Sequence, residues 1–121
     1  KRAEESFPFD LVFQIDGKNR VQTNFQSDCR LQGYTGIIHG GILSALLDTA
    51  MARCLHSQGV EAVTGALNVR FYEPVPCDAH LFISAWTDES LPPLYHLRAE
   101  IRVDDSRVCK AKAKFMQRNQ S

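Results

Sequence analysis

Polar and apolar residues change rhythm three times along this chain. From Phe9 to Gln26 they alternate, with Leu11, Phe13 and Ile15 on one side of a turn and Val21, Thr23 and Phe25 on the other. The intervening Asp16-Gly17-Lys18-Asn19 is a turn signal, so the segment predicts a β-hairpin. Ser27 to Ile38, carrying Gly33 and Gly36, reads as a loop. From Gly40 to His56 the period lengthens: Ile42, Leu43, Leu46, Leu47, Ala50, Met51, Cys54 and Leu55 recur at helical spacing, and Gly59 supplies a C-terminal stop. Small and apolar residues dominate, which predicts a deeply buried helix. Beyond Glu61 strict alternation returns in four runs, centred on Leu67-Val69-Phe71, Leu81-Ile83-Ala85, Leu97-Ala99-Ile101-Val103 and Cys109-Ala111-Ala113-Phe115. Their polar partners describe sheets with one wet and one buried face. Two strands, one long helix and four more strands predict an α+β fold, a single helix wrapped by a curved antiparallel sheet. Residues 1–121 are expected to form one domain.

Charge narrows the classes of function. Fourteen Lys and Arg balance fourteen Asp and Glu, and this zero net charge lacks the basic excess that holds proteins to nucleic acid. The longest uncharged stretch, Leu31 to Leu47, contains four glycines, Gln32 and His39, so no membrane span is expected. The start, Lys1-Arg2-Ala3-Glu4-Glu5, has no apolar signal core and no initiator Met, and reads as a processed start rather than a signal peptide. Cys29, Cys54, Cys77 and Cys109 are scattered without a CxxC pair. They are expected to be free thiols in a reducing, cytoplasmic setting. A core this small makes oligomerisation a common remedy.

The chemistry concentrates in Gln32 to Gly41 and the helix that follows. Glycines at a helix start leave backbone N–H groups unshielded, and with the positive end of the helix dipole they receive developing negative charge. Asp48 is the only acid within an otherwise apolar helix. A carboxylate there costs helix propensity and desolvation, which points to a partner or a task. The plainer alternative is that Asp48 sits with Ser44 on the solvated side of the helix, just off the apolar arc.

His39-Gly40-Gly41, then Ile-Leu-Ser-Ala-Leu-Leu-Asp48-Thr49-Ala50-Met51-Ala52, then Leu67-Asn68-Val69-Arg70-Phe71 with Pro74 and Pro76, resembles the hotdog-fold acyl-CoA thioesterases, in particular the phenylacetyl-CoA thioesterase-like branch. The resemblance spans residues 30 to 76 by motif. It implies a hotdog fold and hydrolysis of an acyl-CoA, or acyl-carrier-protein, thioester to a carboxylic acid and free thiol. It further implies catalytic roles for three residues. Asp48 would be general base or nucleophile, the Gly40 backbone N–H would polarise the thioester carbonyl, and the Thr64 hydroxyl would orient the attacking water. His39, Gly41, Gln32, Asn68 and Arg70 fall at positions expected to bind substrate, and no metal or other cofactor is implied. One departure stands out. Relatives place an Asn or Gln where this chain has Gly33, which leaves the adjacent Gln32 as the nearest amide.

Spacing adds an inference of its own. Gly40 and Asp48 are eight residues apart, roughly 12 Å along one helix at 1.5 Å per residue. One thioester cannot easily meet both groups of the same chain. Gly40 of one copy facing Asp48 of another resolves this, and the family's dimeric site has that arrangement. A homodimer is therefore the expected active unit, with a tetramer formed as a dimer of dimers also open.

The remaining candidates carry weaker signals. His39 precedes the helix and is expected to bond the loop rather than act as a base. Cys54-x-His56 and Cys77-x2-His80 lack a second matched pair for a metal. Arg70, Lys110, Lys112 and Lys114 can meet the phosphates of CoA or simply form a solvated face. Met51 and Leu55 read as core before they read as an acyl pocket. The rival reading from another class is a non-catalytic acyl-CoA or fatty-acyl binding module, favoured by Gly33; a hotdog hydratase fits less well because its surrounding motif is missing.

Overall fold

The computed structural model describes residues 11–17 and 19–118. Its order is β1 (Gln14–Ile15), β2 (Arg20–Gln26), a 3-10 turn (Cys29–Leu31), β3 (Gln32–Tyr34), β4 (Ile37–Ile38), α1 (Gly40–Ser57), β5 (Ala62–Phe71), β6 (His80–Leu91), β7 (Leu94–Val103) and β8 (Ser106–Gln117). Six strands form one antiparallel sheet in the order β1-β2-β6-β7-β8-β5, and β3 and β4 form a small separate hairpin. The helix lies across the sheet and contacts β2, β5, β6, β7 and β8.

The helix is amphipathic in the way its spacing requires. Leu43, Leu46, Leu47, Ala50, Met51, Cys54 and Leu55 are buried on one side. They meet the inward residues of the sheet: Val21, Leu81, Ile83, Ala85, Leu97, Ala99, Ile101, Cys109, Ala111, Ala113 and Phe115. Removing a leucine of this kind from water contributes roughly 1.5–3 kcal/mol. Ile42 is partly buried against this core, and Met51 and Leu55 belong to it. The C-terminus is closed by the N–H groups of Gln58, Gly59 and Val60, which satisfy the last carbonyls, with Gly59 at φ 81° in the left-handed region.

Four local features differ from the sequence expectations. The first strand of the hairpin is only Gln14–Ile15; Leu11 and Phe13 reach the core from outside it, and Phe9 and Lys18 lie outside the described residues. The segment expected to be loop carries the β3–β4 hairpin, whose residues are too short a run to show a period. The run through Leu81, Ile83 and Ala85, expected to stop near Asp88 to Ser90, continues as β6 to Leu91 through a register shift between Thr87 and Glu89. Finally, the cysteines are not all free. Cys29 and Cys77 form a disulfide across 48 positions, with their Cα atoms 4.8 Å apart, and only Cys54 and Cys109 remain as buried thiols. Spacing cannot identify such a pair, because folding sets which cysteines meet. The cysteines therefore lend no support to a reducing, cytoplasmic location. No helix among the described residues is long and apolar enough to cross a membrane.

The disulfide has a definite place. Ile38 N–H donates to Val75 C=O at 2.9 Å, Cys77 N–H donates to Gly36 C=O at 2.8 Å, and Ile37 bridges Pro76. Cys29–Cys77 adds a covalent tie between the same two segments. The approach to α1 is thus pinned to the chain that leaves β5.

Candidate active site

Two hollows flank the helix, one at its start and one beside its fourth turn's wet side. At the start, His39 adopts the N-cap position and its Nδ1 accepts from Gly41 N–H at 2.9 Å. Its carbonyl accepts from Ile42 N–H at 3.0 Å and Leu43 N–H at 3.3 Å. Of the four N–H groups that the helix cannot pair within itself, those of His39 to Ile42, Leu31 C=O takes the first and His39 takes those of Gly41 and Ile42. Gly40 N–H is the one without a partner among the described residues. Because Nδ1 accepts, neutral His39 carries its proton on Nε2. His39 is thus a structural cap, and the Gly41 N–H expected to touch substrate is already engaged.

Gly40 opens onto a hollow of about 400 Å³ lined by Tyr34, Ile37, Leu43, Phe71, Tyr72 and Pro74, among others. A Cβ at Gly40 would lie in ordinary contact with Phe71 Cζ at 3.7 Å, which places the Phe71 ring beside the Gly40 backbone. The alternation places Phe71 on the buried face of its strand, but it is 49% exposed and lines the hollow beside the Gly40 N–H. Alternation alone gives no signal for that, since an open edge exposes even inward residues.

Asp48 lies two turns further on, half-buried, and Thr64 Oγ1 donates to its Oδ1 at 2.8 Å. Asp48 therefore has the partner its cost demanded, and it lines a second hollow of about 400 Å³ with Thr49, Arg53, His56, Glu61, Val63 and Arg118. Thr64 faces the helix because of a bulge. The register of β5 against β8 shifts between Thr64 and Ala66, leaving Gly65 unpaired. Past the bulge Leu67, Val69 and Phe71 face inward; before it Thr64, opposite Phe115, does so.

The structure does not bring the other expected binding residues to these hollows. Asn68 and Arg70 pair with Lys112 and Lys110 on the outer face of the sheet, away from α1. Asn68 there lines a hollow of about 380 Å³ with His96, Arg98, Lys112 and Lys114. Gln32 is also committed: its Oε1 accepts from Gly36 N–H at 2.8 Å, closing the β3–β4 turn. Gly33 packs closely on the cap residue. A Cβ there would lie 3.2 Å from His39 Cα and 3.3 Å from its Cδ2, so a side chain fits only if the cap shifts. Cys77 is bonded to Cys29, which removes it as a metal ligand. Among the described residues no three or more His, Cys, Asp or Glu side chains gather as a metal site.

One long helix laid on an antiparallel sheet, with glycine-led and acid-bearing turns on the same helix, defines the hotdog class. The chain belongs to the thioesterase superfamily, whose family model matches residues 35–110. It is similar to acyl-coenzyme A thioesterase THEM4 of Bos taurus, 27% identical over 111 residues that cover 91% of this chain and 46% of that protein. It is also similar to THEM4 of Mus musculus, 34% identical over 74 residues covering 60% of this chain and 32% of that one. The chain thus spans less than half the length of these curated relatives. Among solved structures, a hypothetical thioesterase from Streptococcus pneumoniae TIGR4 with coenzyme A superposes at TM-score 0.85 and 20% identity, covering 91% of this chain and 87% of the other. The PaaI protein of E. coli, from the phenylacetic acid degradation operon, superposes at TM-score 0.82 and 21% identity, covering 88% and 82%. The pneumococcal protein has also been solved with an aspartate and a threonine each replaced by alanine.

Proposed function

We propose that this chain is an acyl-CoA thioesterase domain whose active site forms between two copies. The observation that carries the reading is the pair of complementary half-sites on one helix: a lone open N–H at Gly40 and a hydroxyl-bonded carboxylate at Asp48. The substituted aspartate and threonine of the pneumococcal relative stand sixteen positions apart, as Asp48 and Thr64 do. That relative holds coenzyme A, which supports a CoA thioester as the substrate class.

The chemistry follows from which lone pairs are free. Thr64 donates its proton to Asp48 Oδ1, so its own lone pairs can accept from a water molecule. Asp48 Oδ2 takes that water's second proton as its oxygen attacks the thioester carbonyl carbon. The carbonyl oxygen gains the charge, and Gly40 N–H of the other copy, at the positive end of its helix, is fixed where that charge grows. Collapse breaks the carbon–sulfur bond, and the proton held by Asp48 passes to the departing thiolate. A positioned base contributes about 10²–10⁴-fold and a single oxyanion donor about 10²–10³-fold.

The test is free-thiol release from aromatic and straight-chain acyl-CoAs, wild type beside Asp48→Asn. Turnover in the wild type that falls about a hundredfold or more in the variant supports the reading, and the best substrate names the acyl class. A wild type that binds a non-hydrolysable thioester analogue yet never releases thiol overturns it in favour of a binding module.

A further inference from the structure

The hollow at Gly40 has two walls that belong to different parts of the chain. Tyr34, Ile37 and Ile38 come from the β3–β4 hairpin, while Phe71 and the residues up to Val75 come from the end of β5 and the chain beyond it. The two walls are held unequally. Val75 and Cys77 are buried in the core on the β5 side. On the hairpin side the 3-10 turn at Cys29–Leu31 buries nothing, and Gln32, Gly33 and Tyr34 are all exposed. Of residues 28–38, only Ile38 is buried. One wall is thus anchored in the core, and the other is fastened to the first.

The fastening has two parts. Ile38 N–H donates to Val75 C=O, and Cys77 N–H to Gly36 C=O, which secures the end of the hairpin nearest the helix. The Cys29–Cys77 disulfide secures the beginning of the segment. That beginning supports the cap. Leu31 C=O accepts from His39 N–H at 3.0 Å, and Gly33 lies against His39, with room for no side chain of its own. His39 in turn engages Gly41 and Ile42 and leaves Gly40 N–H open. A mechanical path therefore runs from Cys29 through Leu31 and Gly33 to His39 and the Gly40 donor, with Tyr34 carried along it. A segment with so little buried surface opens locally at low free energy once a tie is cut.

We propose that Cys29–Cys77 is a redox switch on the Gly40 half-site: the disulfide holds the two walls of the hollow together, and its reduction frees the hairpin wall and weakens ligand binding. The ligand, an acyl-CoA thioester, rests on the thioesterase reading. The two sulfurs are unequal, since Cys29 is exposed and Cys77 is buried. A thiolate of a small dithiol therefore attacks Cys29 Sγ, the S–S bond breaks, and Cys77 leaves as a thiolate that takes up a proton. The second thiolate of the dithiol then closes on the first, forming a cyclic disulfide and releasing Cys29 as a thiol. Two electrons pass from the dithiol to the protein. Linkage makes the effect reciprocal: bound ligand must hinder reduction by the same factor by which reduction weakens the ligand.

The probes are ketone analogues of an aromatic and a straight-chain acyl-CoA, in which a methylene replaces the thioester sulfur. Their binding to the wild-type chain is measured by calorimetry, oxidised and then reduced with dithiothreitol, below the thermal midpoint of the reduced form. Reduction is expected to weaken binding about tenfold, and saturating analogue to raise the dithiol-to-disulfide ratio at half reduction by about the same factor. Amide exchange is expected to quicken over residues 31–38 while α1 stays protected. Cys29→Ser with Cys77→Ser is expected to bind as the reduced form does, whatever the dithiol ratio. Equal affinity of the two wild-type forms overturns the switch. A helix signal lost on reduction does the same, because the bond is then a staple of the whole fold. Hydrolysis is followed separately on the oxidised wild type through the loss of thioester absorbance. Redox-dependent binding in a chain that hydrolyses nothing keeps the switch and removes the enzyme reading; hydrolysis with equal affinities does the reverse. An oxidised chain that binds no analogue overturns both.

Discussion

The sheet ends in two edges built on opposite plans. Strand β1 closes one side with two residues, Gln14 and Ile15, while β5 closes the other with ten, Ala62 to Phe71. Among the described residues the short edge offers a ladder of only these two, and very short edge strands are one way sheets avoid unwanted pairing. The long edge has exposed apolar side chains and a row of backbone groups turned outward. It is also the edge beside both half-sites. The lesson is that edge exposure has to be judged with what stands next to it: one edge is blunted, and the other is left open beside Gly40 and Asp48.

Proline can break each edge on its open side. Val69 turns its N–H away from β8 while its side chain packs against the core, so Val69→Pro removes a donor from the open side of β5 and some packing with it. It is expected to yield monomer by sedimentation and to lower thiol release at least as far as Asp48→Asn, about a hundredfold or more. Asp48→Asn sharpens the contrast by lowering turnover while leaving the dimer intact. Cys29→Ser with Cys77→Ser releases the anchor beyond the end of β5. Closing a loop of 48 positions is worth about 4 kcal/mol in the chain-entropy account, so the thermal midpoint should fall markedly and wild type with reductant should match the variant.

A fourth experiment probes beneath the long edge. Cys109 pairs with Phe71 of β5, and burial pushes its thiol up to about 12. Burial also pushes the Cys54 thiol up. Such groups stay protonated in the folded chain after they ionise in the unfolded one. Their contribution to stability is complete below the unfolded value near 8.5–9 and is lost as pH rises from there toward the folded value. Denaturant midpoints should therefore decline above about pH 9, and neither thiol should react with an aromatic disulfide reagent until the chain unfolds. The smallest effect belongs to the short edge. Asp16 N–H donates to Arg20 C=O, so Ile15 directs its own N–H outward. Ile15→Pro should leave the dimer and turnover unchanged and shift stability by no more than about 1 kcal/mol.

The helix was legible because eight apolar residues at one period leave no competing structure, and Asp48 was legible as the acid that period does not explain. Gly40 stood out for a similar reason, two glycines at a helix start. Thr64 was different: its value depends on Gly65, and an alternating pattern counts Thr64 on the wrong face until the bulge is known. The resemblance named Thr64; the alternation did not. Asn68 and Arg70 show the converse, being matched by motif yet carried to the outer face by the same alternation that was already readable. The disulfide lay beyond reach because its partners meet only when the β3–β4 hairpin folds onto the segment after β5.

The cap at the head of α1 has a consequence for selectivity. A helix start with four vacant donors suits a ligand with several oxygens spread over a tetrahedron, as in a phosphate. Here three of those vacancies are filled from within the chain, two of them by His39 and the third, its own N–H, by Leu31 C=O. What is left is monovalent: one donor, one direction, shielded on one side by Phe71. A carbonyl presents a single oxygen and fits such a vacancy, whereas a phosphate would find one contact where it has use for three. The histidine thus acts as a filter by valence, turning a general anion trap into a seat for a single oxygen atom.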